Sequence, residues 1–173
     1  MKKIIYPLLC AIVITLSAFA VVSAWKIKGD EASIKFSGGK IKGSFKGLKG
    51  DIEFDKEHPD KAKLSASIDA SSVATGFFLK NSHAKDALGA DKYPLIKFVS
   101  SSVAKNANAY IAKGNLTMRG VTRPATINFT FEDKGNQAVF KGHMKVIPKE
   151  FGMNRSGTPD QVDVDLIVPV TKS

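Results

Sequence analysis

The fold class is decided by residues 162–170, which read Val-Asp-Val-Asp-Leu-Ile-Val-Pro-Val. Every even-numbered position of this stretch is apolar, whereas Asp163 and Asp165 occupy odd-numbered positions. Successive side chains of a β-strand point to opposite faces, so the stretch predicts a strand with one wholly apolar face. Pro169 has no amide proton to donate and therefore fits a strand end or an edge position.

The same two-residue period recurs through most of the chain upstream. Residues 125–131 alternate Ala, Ile, Phe and Phe with polar residues, and residues 110–118 and 140–146 alternate small with large side chains. Turn signals lie between these runs, at Lys134-Gly135-Asn136 and at Arg119-Gly120. Counting the runs predicts roughly eight short antiparallel strands, a pattern typical of a closed barrel or a sandwich.

One segment breaks the period. Residues 77–88 read Phe-Phe-Leu-Lys-Asn-Ser-His-Ala-Lys-Asp-Ala-Leu, with apolar residues partly at helical spacing. Gly89 suits the end of a helix, and Pro94 favours an extended chain at the start of the next strand. The sequence therefore predicts one helical insertion in an otherwise all-β antiparallel fold, with His83 of the insertion capping the helix or packing beside the barrel.

Residues 1–24 are predicted to be a signal peptide. Lys2 and Lys3 precede an uncharged apolar run that ends in Val22-Ser23-Ala24, which suits cleavage after Ala24. The mature domain would then span residues 25–173 and be periplasmic or secreted. Because the apolar run approaches the length that crosses a bilayer, an uncleaved membrane anchor is the alternative.

Composition narrows the function classes. Cys10, the only cysteine, lies in the predicted leader, so the mature domain has no disulfide, thiolate metal ligand or cysteine nucleophile. The chain has 26 Lys and Arg against 16 Asp and Glu, and without Lys2 and Lys3 the excess is 8. These basic residues are scattered singly between apolar ones, which favours a solvated outer face over a nucleic-acid site.

Several short motifs, in order and spacing, resemble the YceI-like family of exported, lipocalin-like proteins associated with polyisoprenoid lipids. The resemblance extends over nearly all of the chain after residue 24, and it departs from many relatives only in lacking an acidic residue just before the histidine at position 83. The motifs are Trp25, Gly43-Ser44-Phe45, Ser71-Ser72-Val73-Ala74-Thr75-Gly76, Asn81-Ser82-His83, Tyr93-Pro94-Leu95-Ile96-Lys97-Phe98, Gly114-Asn115-Leu116-Thr117-Met118-Arg119-Gly120-Val121-Thr122-Arg123-Pro124 and Phe151-Gly152.

The resemblance implies an antiparallel lipocalin-like barrel of about eight strands with a helical segment beside it and an apolar tunnel for an isoprenoid chain. A lipid tail makes no directional bonds, so its site needs apolar walls and small residues that leave space. Arg119, Arg123 and Arg155 are the candidates for head-group contacts, together with Lys80 and Lys85. The residues expected to line the tunnel are Phe36, Phe45, Phe77, Phe98, Leu116, Met118, Ile127, Phe129, Phe140, Met144, Val164 and Leu166.

No residue spacing is typical of catalysis or of metal binding, so the sequence predicts neither an enzyme nor a metal or other cofactor. A lipid hydrolase or isomerase would need converging polar groups inside the tunnel. The main alternative is a barrel with a solid interior that acts as a structural or stress-related interaction module without cargo. The predicted partners are a polyisoprenoid or other long-chain lipid and a membrane surface. The sequence is compatible with a homodimer, and nucleic acid is not an expected partner.

Overall fold

The computed structural model describes residues 22–173. The predicted signal peptide therefore lies almost wholly outside the described residues. Ser23 and Ala24 already belong to the fold, because the Ser23 carbonyl accepts a hydrogen bond from the Phe54 amide at 2.9 Å and Ala24 begins the first strand. In the described part of the chain, no helix has the length and apolar character needed to cross a membrane.

Residues 22–173 form ten strands, one α-helix and three short 3-10 turns. The turns are Pro59–Lys61, Ala70–Ser72 and Pro148–Phe151. The strands are β1 (Ala24–Ile27), β2 (Ser33–Gly38), β3 (Ile41–Phe45), β4 (Lys49–Glu53), β5 (Lys63–Asp69), β6 (Leu95–Asn106), β7 (Ala109–Met118), β8 (Val121–Asp133), β9 (Gln137–Val146) and β10 (Val162–Lys172), and the helix is α1 (Phe78–Leu88).

The strands close into a ring in which every pair is antiparallel. The order around the ring is β1-β4-β5-β6-β7-β8-β9-β10, and pairing of β1 with β10 closes it, with Trp25 opposite Lys172 and Ile27 opposite Val170. β2 and β3 form a hairpin attached to β10 beside β1. The predicted all-β antiparallel barrel of about eight strands with one helical insertion is confirmed.

Two of the ring strands are interrupted, which explains why ten strands build an eight-stranded ring. β1 and β2 follow one another along the same edge of β10, and residues 28–32 bulge out between them. β3 and β4 run alongside as their partners, with residues 46–48 between them. The two interruptions touch, because a Cβ on Gly29 would lie 2.2 Å from the Leu48 carbonyl oxygen. Only glycine fits at that contact.

The tight turn between β7 and β8 lies where the sequence predicted it. Arg119 and Gly120 both adopt positive φ, at 54° and 73°, as a two-residue hairpin of the favoured hand requires. A Cβ on Gly120 would approach the Tyr93 ring to 2.6 Å, so the turn packs directly against the chain that enters β6.

Helix α1 begins one residue later than predicted and ends where predicted. The side-chain oxygen of Asn81 accepts hydrogen bonds from the Thr75 amide (2.6 Å) and hydroxyl (2.8 Å), which fixes the first turn. At the other end Gly89 takes the left-handed conformation, φ 61°, and its amide returns to helical carbonyls. The Arg119 guanidinium donates to the Ala87 carbonyl and so ties the helix to the β7–β8 turn.

One end of the barrel is filled by six aromatic side chains, here called the aromatic plug. The Phe54 ring is completely buried at its centre, and the Trp25 indole N–H donates to the Phe54 carbonyl at 3.0 Å. Edge-on and tilted contacts of this kind stabilise aromatic cores beyond their buried area. Four rings lie 4.9–5.6 Å from that of Phe54, namely Tyr110, Phe129, Phe131 and Phe140, and Trp25 joins through Phe131 at 5.4 Å.

Candidate functional site

Beyond the aromatic plug the interior is hollow. The cavity measures about 320 Å³, and its walls are almost entirely apolar. No polar or charged residue among residues 22–173 is buried. The cavity can therefore hold an apolar group by exclusion of water but gives it few directional bonds.

The inward alternation predicted from the sequence builds this wall. Small residues face large ones across the strands: Gly142 lies opposite Leu166, and Ala66 lies opposite Phe98. Such pairs leave space that two large side chains would fill. Eleven of the twelve predicted wall residues line the cavity: Phe36, Phe45, Phe98, Leu116, Met118, Ile127, Phe129, Phe140, Met144, Val164 and Leu166.

Phe77 is the exception, and its predicted place in the wall is wrong. Its side chain is 65% exposed and lies outside the cavity. The prediction assumes that the apolar face of the helix packs against the barrel along the whole length of the helix. At a rise of about 1.5 Å per residue, position 77 lies roughly 16 Å along the helix from Leu88, and only the end of α1 near Leu88 covers the barrel.

The helix contributes wall residues that sequence reasoning did not assign to the site. Ala84, Ala87 and Leu88 line the cavity, as do Met153 and Pro159 of the loop before β10. The helical spacing of Ala84 and Leu88 was visible in the sequence, but spacing alone does not show which part of a helix meets the barrel. The loop residues carry no periodic signal.

The cavity reaches solvent at the end opposite the plug. Ile41, in the turn region of the β2–β3 hairpin, lines the cavity and is also 39% exposed. Thr158 and Pro159 border the same end. The opening bounded by the β2–β3 hairpin, by α1 and by the loop of residues 152–161 is called the mouth below.

The three head-group candidates have different positions. Arg119 is engaged by the Ala87 carbonyl, so its observed role is to anchor α1. Arg123 lies opposite Leu116, on the inward-facing side of β8 near its start, and is exposed. Arg155 is exposed in the loop that borders the mouth. Contact of Arg123 and Arg155 with a head group stays a prediction.

The chain that leads from β5 into α1 is tied to β3. Ser44 and Ala74 exchange two backbone hydrogen bonds, at 2.8 and 2.9 Å, and the Ser72 hydroxyl accepts from the Lys46 amide at 3.2 Å. Asp69 starts this connection, and its carboxylate accepts the Ser71 amide at 2.7 Å. Hydrogen bonding by Ser71 lowers the pKa of the Asp69 carboxyl below its ordinary value. The mouth is thus framed by segments bonded to each other.

His83 and His143 lie outside the cavity. His83 is exposed on α1 and makes no cap hydrogen bond, so its expected role in capping or packing is wrong. Asn81 makes the contacts at the start of the helix instead. His143 lies on the outer face between Asp165 (Nδ1 to Oδ1, 2.9 Å) and Asp163 (Nε2 to Oδ1, 3.4 Å). This cluster is half exposed and separated from the interior by the barrel wall, as expected for outward positions of β9 and β10.

Curated relatives match this chain over nearly its whole length. The chain is 31% identical to the UPF0312 protein of Serratia proteamaculans, over 98% of this chain and 96% of the relative. It is 30% identical to Protein YceI of Escherichia coli O157:H7, over 98% of this chain and 97% of the relative.

Solved structures share the fold at low sequence identity. Burkholderia cenocepacia BcnA matches with a TM-score of 0.78 and 22% identity, covering 84% of this chain and 99% of BcnA. A polyisoprenoid binding domain from Saccharophagus degradans matches with a TM-score of 0.66 and 14% identity, covering 87% of this chain and 99% of that domain. The family model described as YceI-like domain matches residues 25–170, and the chain therefore belongs to the YceI-like domain family.

Proposed function

We propose that this protein binds the apolar tail of a polyisoprenoid or similar long-chain lipid in the barrel cavity, and that it sequesters or shuttles this lipid outside the cytoplasm. The observation that carries the proposal is the cavity itself, about 320 Å³ with apolar walls and an opening at one end. This volume lies within the range of roughly 300–1,000 Å³ typical of small-molecule sites. A solid interior without cargo is disfavoured because only the plug end is filled.

The energetics of a lipid tail suit reversible binding. Burying one methylene from water is worth about 0.8 kcal/mol, but a lipid in a bilayer already has an apolar environment. Transfer from membrane to cavity therefore exchanges one apolar surrounding for another, at the cost of ordering the tail. A net free energy near zero for this transfer allows both loading and release.

A solved structure with the same fold supports lipid binding but does not identify the lipid that this protein binds. The Saccharophagus degradans structure is described as a polyisoprenoid binding domain, and it has the same fold. Binding is proposed in preference to catalysis because, within residues 22–173, no buried polar side chain faces the cavity.

Export is proposed from the N-terminal sequence. Residues 1–24 have the charge and small-residue pattern of a cleaved leader. Cleavage after Ala24 would keep Trp25 and Ile27, and with them the pairing of β1 with β10 that closes the ring. The matched family domain begins at residue 25, which also supports a domain of residues 25–173.

The test is native mass spectrometry of the protein isolated without detergent from a bacterium that makes polyisoprenoids. We expect a lipid-sized adduct on the unmodified protein and its loss in Ala66→Phe, because a phenyl ring at this wall position fills the hollow. The matched control is Ala104→Phe, which adds the same ring at an exposed position of β6. An unmodified protein that carries no adduct and takes up no prenyl lipid would contradict the proposal, as would an adduct that persists in Ala66→Phe.

A further inference from the structure

The start of α1 exposes three consecutive apolar side chains, here called the apolar tip. Phe77, Phe78 and Leu79 are 65%, 86% and 71% exposed, and they are the most exposed of the large apolar side chains that the structure describes. Single exposed apolar residues are ordinary on protein surfaces. Three in a row at the end of one helix form a contiguous apolar surface of the kind that marks an interaction site.

The apolar tip lies beside the mouth. The opposite end of the same helix, at Ala84 and Leu88, closes part of the cavity. The chain just before the tip is held against β3 by the two hydrogen bonds between Ser44 and Ala74. The tip and the half-exposed Ile41 of the neighbouring hairpin therefore belong to one end of the barrel, the end at which the cavity opens.

The charges around the tip are positive. Residues 37–46, which include the β2–β3 turn, contain three lysines and no acidic residue, and residues 76–85 contain two lysines and no acidic residue. The Lys80 ammonium lies 4.9 Å from the centre of the Phe77 ring. Asp69 and Asp86 flank these segments. The Ser71 hydrogen bonds lower the pKa of the Asp69 carboxyl, and Lys85 adds to this lowering. The immediate surroundings of the tip carry a net positive charge.

We propose that the apolar tip inserts into the surface of an anionic phospholipid bilayer, with the surrounding lysines on the lipid head groups and the mouth turned toward the membrane. Aromatic side chains favour the membrane–water interface, and basic residues are attracted to anionic lipid. A stable protein partner covers about 800 Å² per side, and three side chains at a helix tip provide well below that area. The inference rests on the proposed function and deepens it by naming the surface from which the lipid enters.

Fluorescence locates the contact. The native tryptophan, Trp25, is buried in the plug, so its emission is not expected to change. In Phe78→Trp we expect a blue shift, and quenching by brominated lipid, on adding vesicles of phosphatidylcholine with one-third phosphatidylglycerol. Val99→Trp, at an exposed position of β6, serves as the control without a shift. A blue shift of Phe78→Trp that grows with protein concentration in the absence of vesicles would indicate a second copy of the chain and overturn the proposal.

Vesicle flotation tests whether the tip drives binding. The protein is isolated from the extracytoplasmic fraction of an expressing bacterium, so that every variant carries the same naturally processed N-terminus. We expect the combined change Phe77→Ser, Phe78→Ser and Leu79→Ser to weaken binding to these vesicles about tenfold or more. The exposure of the three residues protects the fold, and serine at position 77 is a favoured helix cap. Val99→Ser with Ile167→Ser removes apolar surface elsewhere on the barrel and should leave binding unchanged.

Equal flotation of the unmodified protein and the tip variant would overturn the membrane proposal. Native mass spectrometry of the same samples separates this failure from failure of the proposed function. An adduct on a protein that does not float overturns docking and leaves lipid binding intact. Flotation that depends on the tip, without any adduct, supports docking while contradicting the cargo.

Discussion

Phe54 connects the N-terminal strand to the middle of the chain. Its carbonyl accepts the Trp25 indole N–H, and its fully buried ring contacts four aromatic rings of β7, β8 and β9. The sequence predicts an inward apolar residue here, from the alternation with Ile52. Its position at the centre of the plug depends on contacts with residues far along the chain, which periodicity does not reveal.

Truncation of this ring should be among the most destabilising single changes. We expect Phe54→Ala to lower the free energy of unfolding by about 3–5 kcal/mol, because the surrounding rings cannot collapse fully into the space. Denaturant unfolding followed by circular dichroism measures it. Phe78→Ala removes the same ring from an exposed position and should change stability by no more than about 0.5 kcal/mol. Similar losses in the two variants would contradict the central role of Phe54.

At the scale of the element, α1 shows what local sequence can predict. Its end at Gly89 and its approximate length follow from helical spacing and from the conformational freedom of glycine. The prediction misplaces Phe77 because helical spacing identifies an apolar face but does not identify the surface against which that face packs. The barrel covers the helix near Leu88 only, so the same pattern is wall at one end and exposed surface at the other.

The link between Arg119 and the Ala87 carbonyl should control the opening of this helix. In Arg119→Gln we expect amide hydrogen exchange at Leu88 and Gly89 to accelerate about tenfold, since a hydrogen bond from a charged donor is worth about 1.5–3 kcal/mol and glutamine replaces it in part. Exchange measured by mass spectrometry on peptides of α1 checks this.

Arg123→Gln is the matched control for that measurement, because Arg123 is exposed and near the same turn. Exchange in peptides of β9 and β10 should stay unchanged in both variants. Acceleration throughout the barrel in Arg119→Gln would show that the arginine stabilises the turn as a whole and does not act on the helix specifically.

At the scale of the whole molecule, the number of ring strands follows from sequence but their interruptions do not. The number of alternating apolar runs predicts about eight strands, and the observed ring contains eight. At the breaks, residues 28–32 and 46–48, Gly29 meets Leu48, and these two residues are distant in sequence. Eleven of the twelve predicted wall residues line the cavity because strand alternation has a fixed period of two.

The barrel is packed at the plug end and hollow at the mouth end. An apolar guest that fills the hollow should therefore stabilise the whole protein against unfolding. For the delipidated protein with free polyprenol at a hundred times its dissociation constant, we expect about 2.7 kcal/mol of added stability. For a domain of this size that corresponds to a rise in Tm of about 5–10 °C. Scanning calorimetry measures it, with Ala66→Phe as the variant that should not respond. An equal rise in both would place the guest elsewhere.

The aromatic plug closes the barrel at one end, so the mouth serves as both entrance and exit of the cavity. A lipid bound as proposed would therefore enter tail first and leave by the same opening. Its polar terminus would stay at the rim, accessible to an acceptor, while the hydrocarbon is shielded from water. The closed end would thereby fix the orientation of the guest, although the apolar walls recognise no chemical group.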